Sequence, residues 1–194
     1  MTRIRTGTRG WLVAWGLLAL ASASCAGARA GRSTDAAAEI ARLPVAFAWA
    51  VDGKDIDALM ALLSEDVVYD LSAYGFPPTI GQAAVRQLFL TGVFPFVRCS
   101  TMVLANFRVE VAGEHATGAD YFVHFGYDPR GAPPGTRSHT EGRHFYEFVR
   151  EGNAWRIARI RGEPRFERRE PYRPAELRAC GTGARTGSTT TPEG

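Results

Sequence analysis

Asp52 ends an apolar helical pattern, Phe47-Ala-Trp49-Ala-Val51. A carboxylate walled by such side chains loses hydration, and its pKa rises toward the range where a general base works best. The same residue also opens Asp52-Gly-Lys-Asp55, where it could instead accept backbone N–H bonds at a turn before a second helix. Four further residues could complete acid–base chemistry. Tyr69 and Tyr121 carry phenols that either face a pocket or keep their hydroxyls wet on half-buried rings. Tyr121 and His124 are three apart, so a regular strand turns them to opposite faces. Tyr121, with Ala119 and Val123 at its parity, is the better inward candidate. His144 can exchange a proton near neutral pH without large tuning, or it stands outward on a sheet. Arg161 could bind an anionic group or an oxyanion, although among 22 arginines it could equally be a solvated charge. Asp52 as base with Tyr69, Tyr121 or His144 as acid would give proton abstraction and return: dehydration, isomerisation or cyclisation without a cofactor. No Cys/His spacing suits a metal, and no Gly-x-Gly-x-x-Gly or phosphate loop suits a nucleotide.

These residues need elements to hold them. Ser33-Thr34-Asp35 is N-cap chemistry, and Ile40, Leu43, Phe47, Ala50 and Val51 recur at helical spacing, with Pro44 expected to kink or interrupt the helix. A second helix is predicted from about Asp55 through Leu63, a short strand over 67–71, and a third helix from Gly81 to about Gly92. The period then changes to two over 97–111, 116–127, 139–149 and 154–162. Helices followed by an antiparallel meander predict an α+β domain, with a curved sheet wrapped on helices.

The chain has 194 residues, room for one domain with a real core. Three of its 23 basic residues, Arg3, Arg5 and Arg9, lie in the first 24, leaving 20 basic against 20 acidic residues. Net neutrality argues against a nucleic-acid partner. Residues 1–24 read as a secretory signal: an arginine-bearing start, the uncharged run WLVAWGLLALASAS, then small residues. That run is shorter than the roughly 20 residues a membrane span needs. Cys25 after Ala21-Ser22-Ala23-Ser24 resembles a bacterial lipobox, which implies lipid attachment and an exported, membrane-anchored periplasmic or cell-surface protein; simple cleavage after Ala23 or Ala28 is the rival. Residues 25–34 read as a tether, 35–162 as the domain and 163–194 as a disordered tail. Cys99 and Cys180 would be left as a pair able to form a disulfide.

The segments Phe47 to Asp55, Leu62 to Asp70, Gly81, Asn106, Ala116 to Tyr121, Gly142-Arg-His144-Phe-Tyr-Glu147 and Gly152-Asn-Ala-Trp155-Arg-Ile157 together resemble the SnoaL-like branch of the nuclear transport factor 2 superfamily, over roughly residues 35–162. The nearest pattern is the scytalone dehydratase and bile acid dehydratase-like group. The resemblance implies a cone: a strongly curved mixed or antiparallel sheet and three N-terminal helices around a deep apolar pocket, and a possible homodimer. In those dehydratases a tyrosine and an aspartate of helix one and a strand histidine do the acid–base work. Asp52 matches the aspartate, Phe47 stands at the tyrosine, Met102 stands near the histidine, and Tyr69 matches a pocket tyrosine. His144 is then the substitute for the missing histidine, and Phe47, Trp49, Met102 and Arg161 would contact a hydrophobic small molecule. Two readings remain: a cofactor-free lyase or isomerase acting on a cyclic or polyketide-like compound, or a non-catalytic ligand-binding or interaction module on the same fold.

Overall fold

A computed structural model describes residues 35–97, 99–128 and 135–171. The chain divides into two units, Met1–Ala38 and Glu39–Gly194. Of the first, only 35–38 are described, and they are helical. The second unit carries the sheet and the helices that pack on it. The expected signal segment, Cys25, the tether and Cys180 lie outside the described residues. Cys99 is disulfide-bonded.

The first helix is broken where proline requires it. Helix stops at residue 40, Ala41 turns, and α1 runs Arg42–Gly53. Pro44 has no N–H to donate to the Ile40 carbonyl and its ring crowds that carbonyl, but in the first turn of α1 it costs little. Lys54 ends α1 in the left-handed region at φ 55°, its N–H bonding back to Ala50 and Val51. Asp55 then caps α2, Ile56–Met60, its carboxylate accepting from Ala58 N at 2.9 Å. The expected second helix is therefore shorter than its apolar spacing suggests, because Leu63 already belongs to β1, Leu63–Asp70. After β2, Thr79–Ile80, α3 spans Gln82–Leu88 and continues as a π turn, Phe89–Val93.

The rest is sheet: β3 Cys99–Ala112, β4 His115–Asp128, β5 Thr136–Glu151 and β6 Ala154–Pro171. The order is β2-β1-β6-β5-β4-β3, antiparallel throughout except for the parallel β1–β6 pair. The sheet is thus mixed and open. α1 packs on β3 and α3 on β1, so the helices cover one face. Phe47, Phe89, Phe148, Trp155 and Ile157 fill the space between, each at most 2% exposed.

β6 overturns one expectation. Composition predicts a tail from 163, yet the strand continues to Pro171, with Glu163 to Pro171 paired along β5 from Arg143 back to Thr136. Charge along 163–171 hides it. That stretch is held by the backbone ladder and ion pairs such as Arg137–Glu170 and Arg169–Glu167, and most of its side chains are exposed, so it lacks an apolar signature.

Candidate active site

The inner face is set by parity. On β4 the even residues Ala116, Asp120 and Phe122 are buried, and His124 follows them; on β5 the even residues Thr140, Gly142, His144, Tyr146 and Phe148 are buried. On β3, Asn106 takes φ 55° within a bulge between Ala105 and Arg108. Asparagine tolerates that conformation, and the extra residue transfers the inward set from Ser100 and Met102 to Phe107 and Val109. Under the helices the inner face forms a cavity of about 150 Å³. Tyr69, Tyr74, Met102, Phe122, His124 and His144 line it, with Val51, Leu71, Phe89 and Ile160 supplying apolar wall. Apolar cavities of that size take up one benzene-sized ring.

His144 is the most constrained group on this wall. Its Nδ1 lies 3.0 Å from Asp120 Oδ1, and the Tyr146 hydroxyl donates to Asp120 Oδ2 at 2.9 Å. Asp120 is 2% exposed and His144 7% exposed. A carboxylate accepting at both oxygens requires Nδ1 to carry the proton, so Nε2 is the basic nitrogen of neutral His144. Among the described residues, Nε2 has no protein partner. Phe122 stacks on the imidazole at 4.1 Å between centroids. Gly142 makes room for that stack, since a Cβ there would sit 2.8 Å from Phe122 Cε1 and 2.3 Å from the Glu163 carbonyl oxygen. Burial, then the charge of Asp120, hold the Tyr146 phenol well above its ordinary pKa.

A second array reaches the cavity from the other side. Ser100 Oγ donates to Asp52 Oδ1 at 2.6 Å and lies 2.9 Å from His124 Nε2, while Met102 N–H donates to Asp52 Oδ2 at 2.8 Å. Burial lowers the His124 pKa; the Asp52 charge opposes this and His144 adds to it. Tyr69 is raised by burial and then by Tyr74; Tyr74 is pushed up to about 12 by burial and the charge of Glu167. Both phenols therefore remain donors at any physiological pH.

The structure separates the residues expected to work together. Asp52 neither caps α2, a role taken by Asp55, nor lines the cavity; its oxygens are engaged by Ser100 and Met102, and it opens on a groove of about 450 Å³ between α1 and β3. Tyr121 is turned out and 46% exposed, the opposite of the orientation its neighbours suggest. Apolar Ala119 and Val123 mislead there, because both faces of β4 carry apolar residues. Trp49 is 75% exposed and lines the groove. Phe47 is core, packed edge-on to Phe89 and tilted against Tyr69. Arg161 lies outside the cavity, its guanidinium over the Phe145 ring at 4.3 Å and 3.6 Å from Glu163, because β6 turns Ile160 and Gly162 inward. Tyr69, Met102 and His144 do line the cavity. Asp120, Ser100 and Tyr74 are candidate groups that sequence reasoning missed, and His124 is one that it set behind Tyr121. Among the described residues no cluster of three His, Cys, Asp or Glu side chains could hold a metal.

Residues 32–161 match the sequence profile described as the SnoaL-like domain. A protein provisionally assigned as an aromatic ring hydroxylase, from Novosphingobium aromaticivorans, is 31% identical, with a TM-score of 0.61 over 69% of this chain and 91% of that one. Hexachlorocyclohexane dehydrochlorinase from Novosphingobium barchaimii shares the fold at 16% identity and a TM-score of 0.61, over 69% and 88%. So does a protein provisionally assigned as a scytalone dehydratase, from Novosphingobium aromaticivorans, at 19% identity and a TM-score of 0.60, over 70% and 87%. No curated protein matches the chain.

Proposed function

The chain belongs to the SnoaL-like domain family, and from that premise we propose that it is a cofactor-free lyase that eliminates water or a halide from a hydrophobic, single-ring molecule. The observation that carries this reading is the buried Asp120–His144 pair on the cavity wall. His144 Nε2 takes a proton from a ring carbon, and the electron pair left by that C–H bond becomes the new double bond as the neighbouring C–O or C–X bond breaks. The imidazolium so formed is stabilised where it stands, since its Nδ1–H already points at a carboxylate that Tyr146 also holds. Tyr69 and Tyr74, kept protonated by burial, are the donors available to the leaving oxygen or halide. Val51, Leu71, Phe89 and Ile160 line the cavity beside these groups, and apolar surroundings strengthen each of these interactions. The dehydratase and dehydrochlorinase that share the fold perform, by their names, eliminations of this kind.

The test is a panel of six-membered-ring alcohols, hydroxyketones and chlorides, with products read by mass spectrometry. Turnover that falls about a hundredfold to ten-thousandfold in His144→Asn supports the assignment. Turnover unchanged in that variant removes His144 as the base.

The enzyme proposed here works outside the cytoplasm, anchored through lipid on Cys25. The signal-like residues 1–24 support this, and a disulfide-bonded Cys99 suits an oxidising compartment. Cys25→Ala should then move the protein from the membrane to the soluble fraction.

A further inference from the structure

The cavity and the outer groove share a wall, and one hydrogen-bonded chain crosses it. His124 lines the cavity. Asp52 and Ser100 line the groove between α1 and β3. Ser100 Oγ is within hydrogen-bond distance of both, 2.9 Å from His124 Nε2 and 2.6 Å from Asp52 Oδ1. A hydroxyl has one proton to give. Ser100 gives it to Asp52, so toward His124 it can only accept, and His124 is held as the Nε2–H tautomer with Nδ1 basic. Donors and acceptors then run in one direction, from His124 through Ser100 to Asp52.

We infer that Ser100 is a proton relay through which the cavity exchanges protons with solvent in the outer groove. A proton arriving at His124 Nδ1 makes the imidazolium. The Nε2 proton passes to Ser100 Oγ as the hydroxyl's own proton passes to Asp52 Oδ1, and the acid so formed loses it to water in the groove. Nothing is oxidised or reduced, and His124 returns to neutral. The Met102 N–H bond to Asp52 Oδ2 holds the receiving carboxylate in place throughout. Two further observations agree. Repulsion from His144 helps to lower the His124 pKa, so a proton held on His144 discourages a second on His124 and keeps the relay ready to discharge. Asp52, moreover, is placed where a cavity base would not be: its carboxylate lines the groove and faces the cavity only through Ser100.

The relay rests on the elimination proposed above, for which it would clear or supply the proton, but its test needs no substrate. In ligand-free protein labelled with ¹⁵N-histidine, the exchange of the His124 ring N–H proton with water, on whichever nitrogen carries it, is measured by NMR in wild type, Asp52→Asn and Ser100→Ala. In Asp52→Asn the Met102 N–H keeps the amide oxygen, so the amide N–H₂ faces Ser100, whose hydroxyl turns to donate to His124 Nε2 and has no group left that can take up a proton. A fall of tenfold or more in the exchange rate in both variants, with Ser100→Thr keeping the wild-type rate and tautomer, supports the relay. Equal rates in wild type and both variants overturn it. That result would leave the role of His144 untouched, just as inactivity of the elimination panel would leave the relay standing.

Discussion

Asp120→Asn separates the geometry of the buried pair from its charge. The side chain keeps its shape, but a carboxylate that accepts from His144 Nδ1 at 3.0 Å and from the Tyr146 hydroxyl at 2.9 Å becomes an amide with one acceptor and one donor. Tyr146 can only donate, so the amide oxygen goes to it, and the amide N–H₂ then faces His144. Nδ1 must give up its proton to accept that bond, which drives His144 to the Nε2–H tautomer and leaves the cavity without its base. Hydrogen bonds to a charged group are worth about 1.5–3 kcal/mol each and neutral ones about 1 kcal/mol, so the exchange costs about 1–3 kcal/mol in a site where water cannot compensate. For a domain of this size that is roughly 3–12 °C in Tm. Thermal denaturation by circular dichroism reads the stability, and long-range ¹H–¹⁵N correlation of labelled histidines reads the tautomer. A melting temperature within about 2 °C of wild type, together with an unchanged Nδ1–H tautomer, would refute the role of Asp120 in fixing the base.

Three further outcomes are expected. Gly142→Ala should lower stability by about 1–3 kcal/mol, because the new Cβ meets a backbone oxygen at 2.3 Å as well as the Phe122 ring, and chemical denaturation measures it. The lowered pKa of His124 means that, as pH falls below the ordinary histidine value near 6.5, the unfolded state binds the proton first. Stability therefore declines through that window, and His124→Asn should flatten the decline in urea titrations between about pH 6.5 and 5. Asp70, nearly buried between Ser72 N–H and Arg159, has its carboxyl lowered to about 2, so its contribution is complete above about pH 5 and is lost as pH falls through 2 toward 1. Asp70→Asn should cost about 1–2 kcal/mol at pH 7 and only a small fraction of that at about pH 2, discounting for the partly exposed Arg159.

Most of the helices and strands were legible in the sequence because their periods differ and because Asp55, Gly81 and Pro44 punctuate them, whereas the charged end of β6 was not. The inner wall of the pocket was harder to read. Alternation says that Tyr121 and His124 take opposite faces, but apolar residues on both faces of β4 favoured Tyr121 as the inward one, and the structure turns His124 inward instead. Glycine would have decided it. On a strongly curved sheet the concave side is crowded, and Gly118, Gly126, Gly142 and Gly162 all lie where a Cβ would come within 3.0 Å of another atom. Their parity on β4 and β5 is that of Asp120, His124 and His144. The bond from Asp120 to His144 follows from register, since these two residues are directly paired across β4 and β5. Register depends on hairpin geometry that the Gly- and Pro-rich loop between them conceals. Ser100 carried no local signal at all, for its role exists only because α1 brings Asp52 to β3.

That His144 abstracts a proton from a single-ring ligand in the cavity is tested most directly by isotope exchange. Cyclohexanone and related ring ketones deuterated beside the carbonyl are incubated with wild-type protein and with His144→Gln, and loss of deuterium to water is followed by NMR. Washout above the protein-free rate is expected in wild type, with a loss of about a hundredfold or more in that protein-catalysed rate in the variant. Washout that proceeds equally in both proteins would contradict the role given to His144.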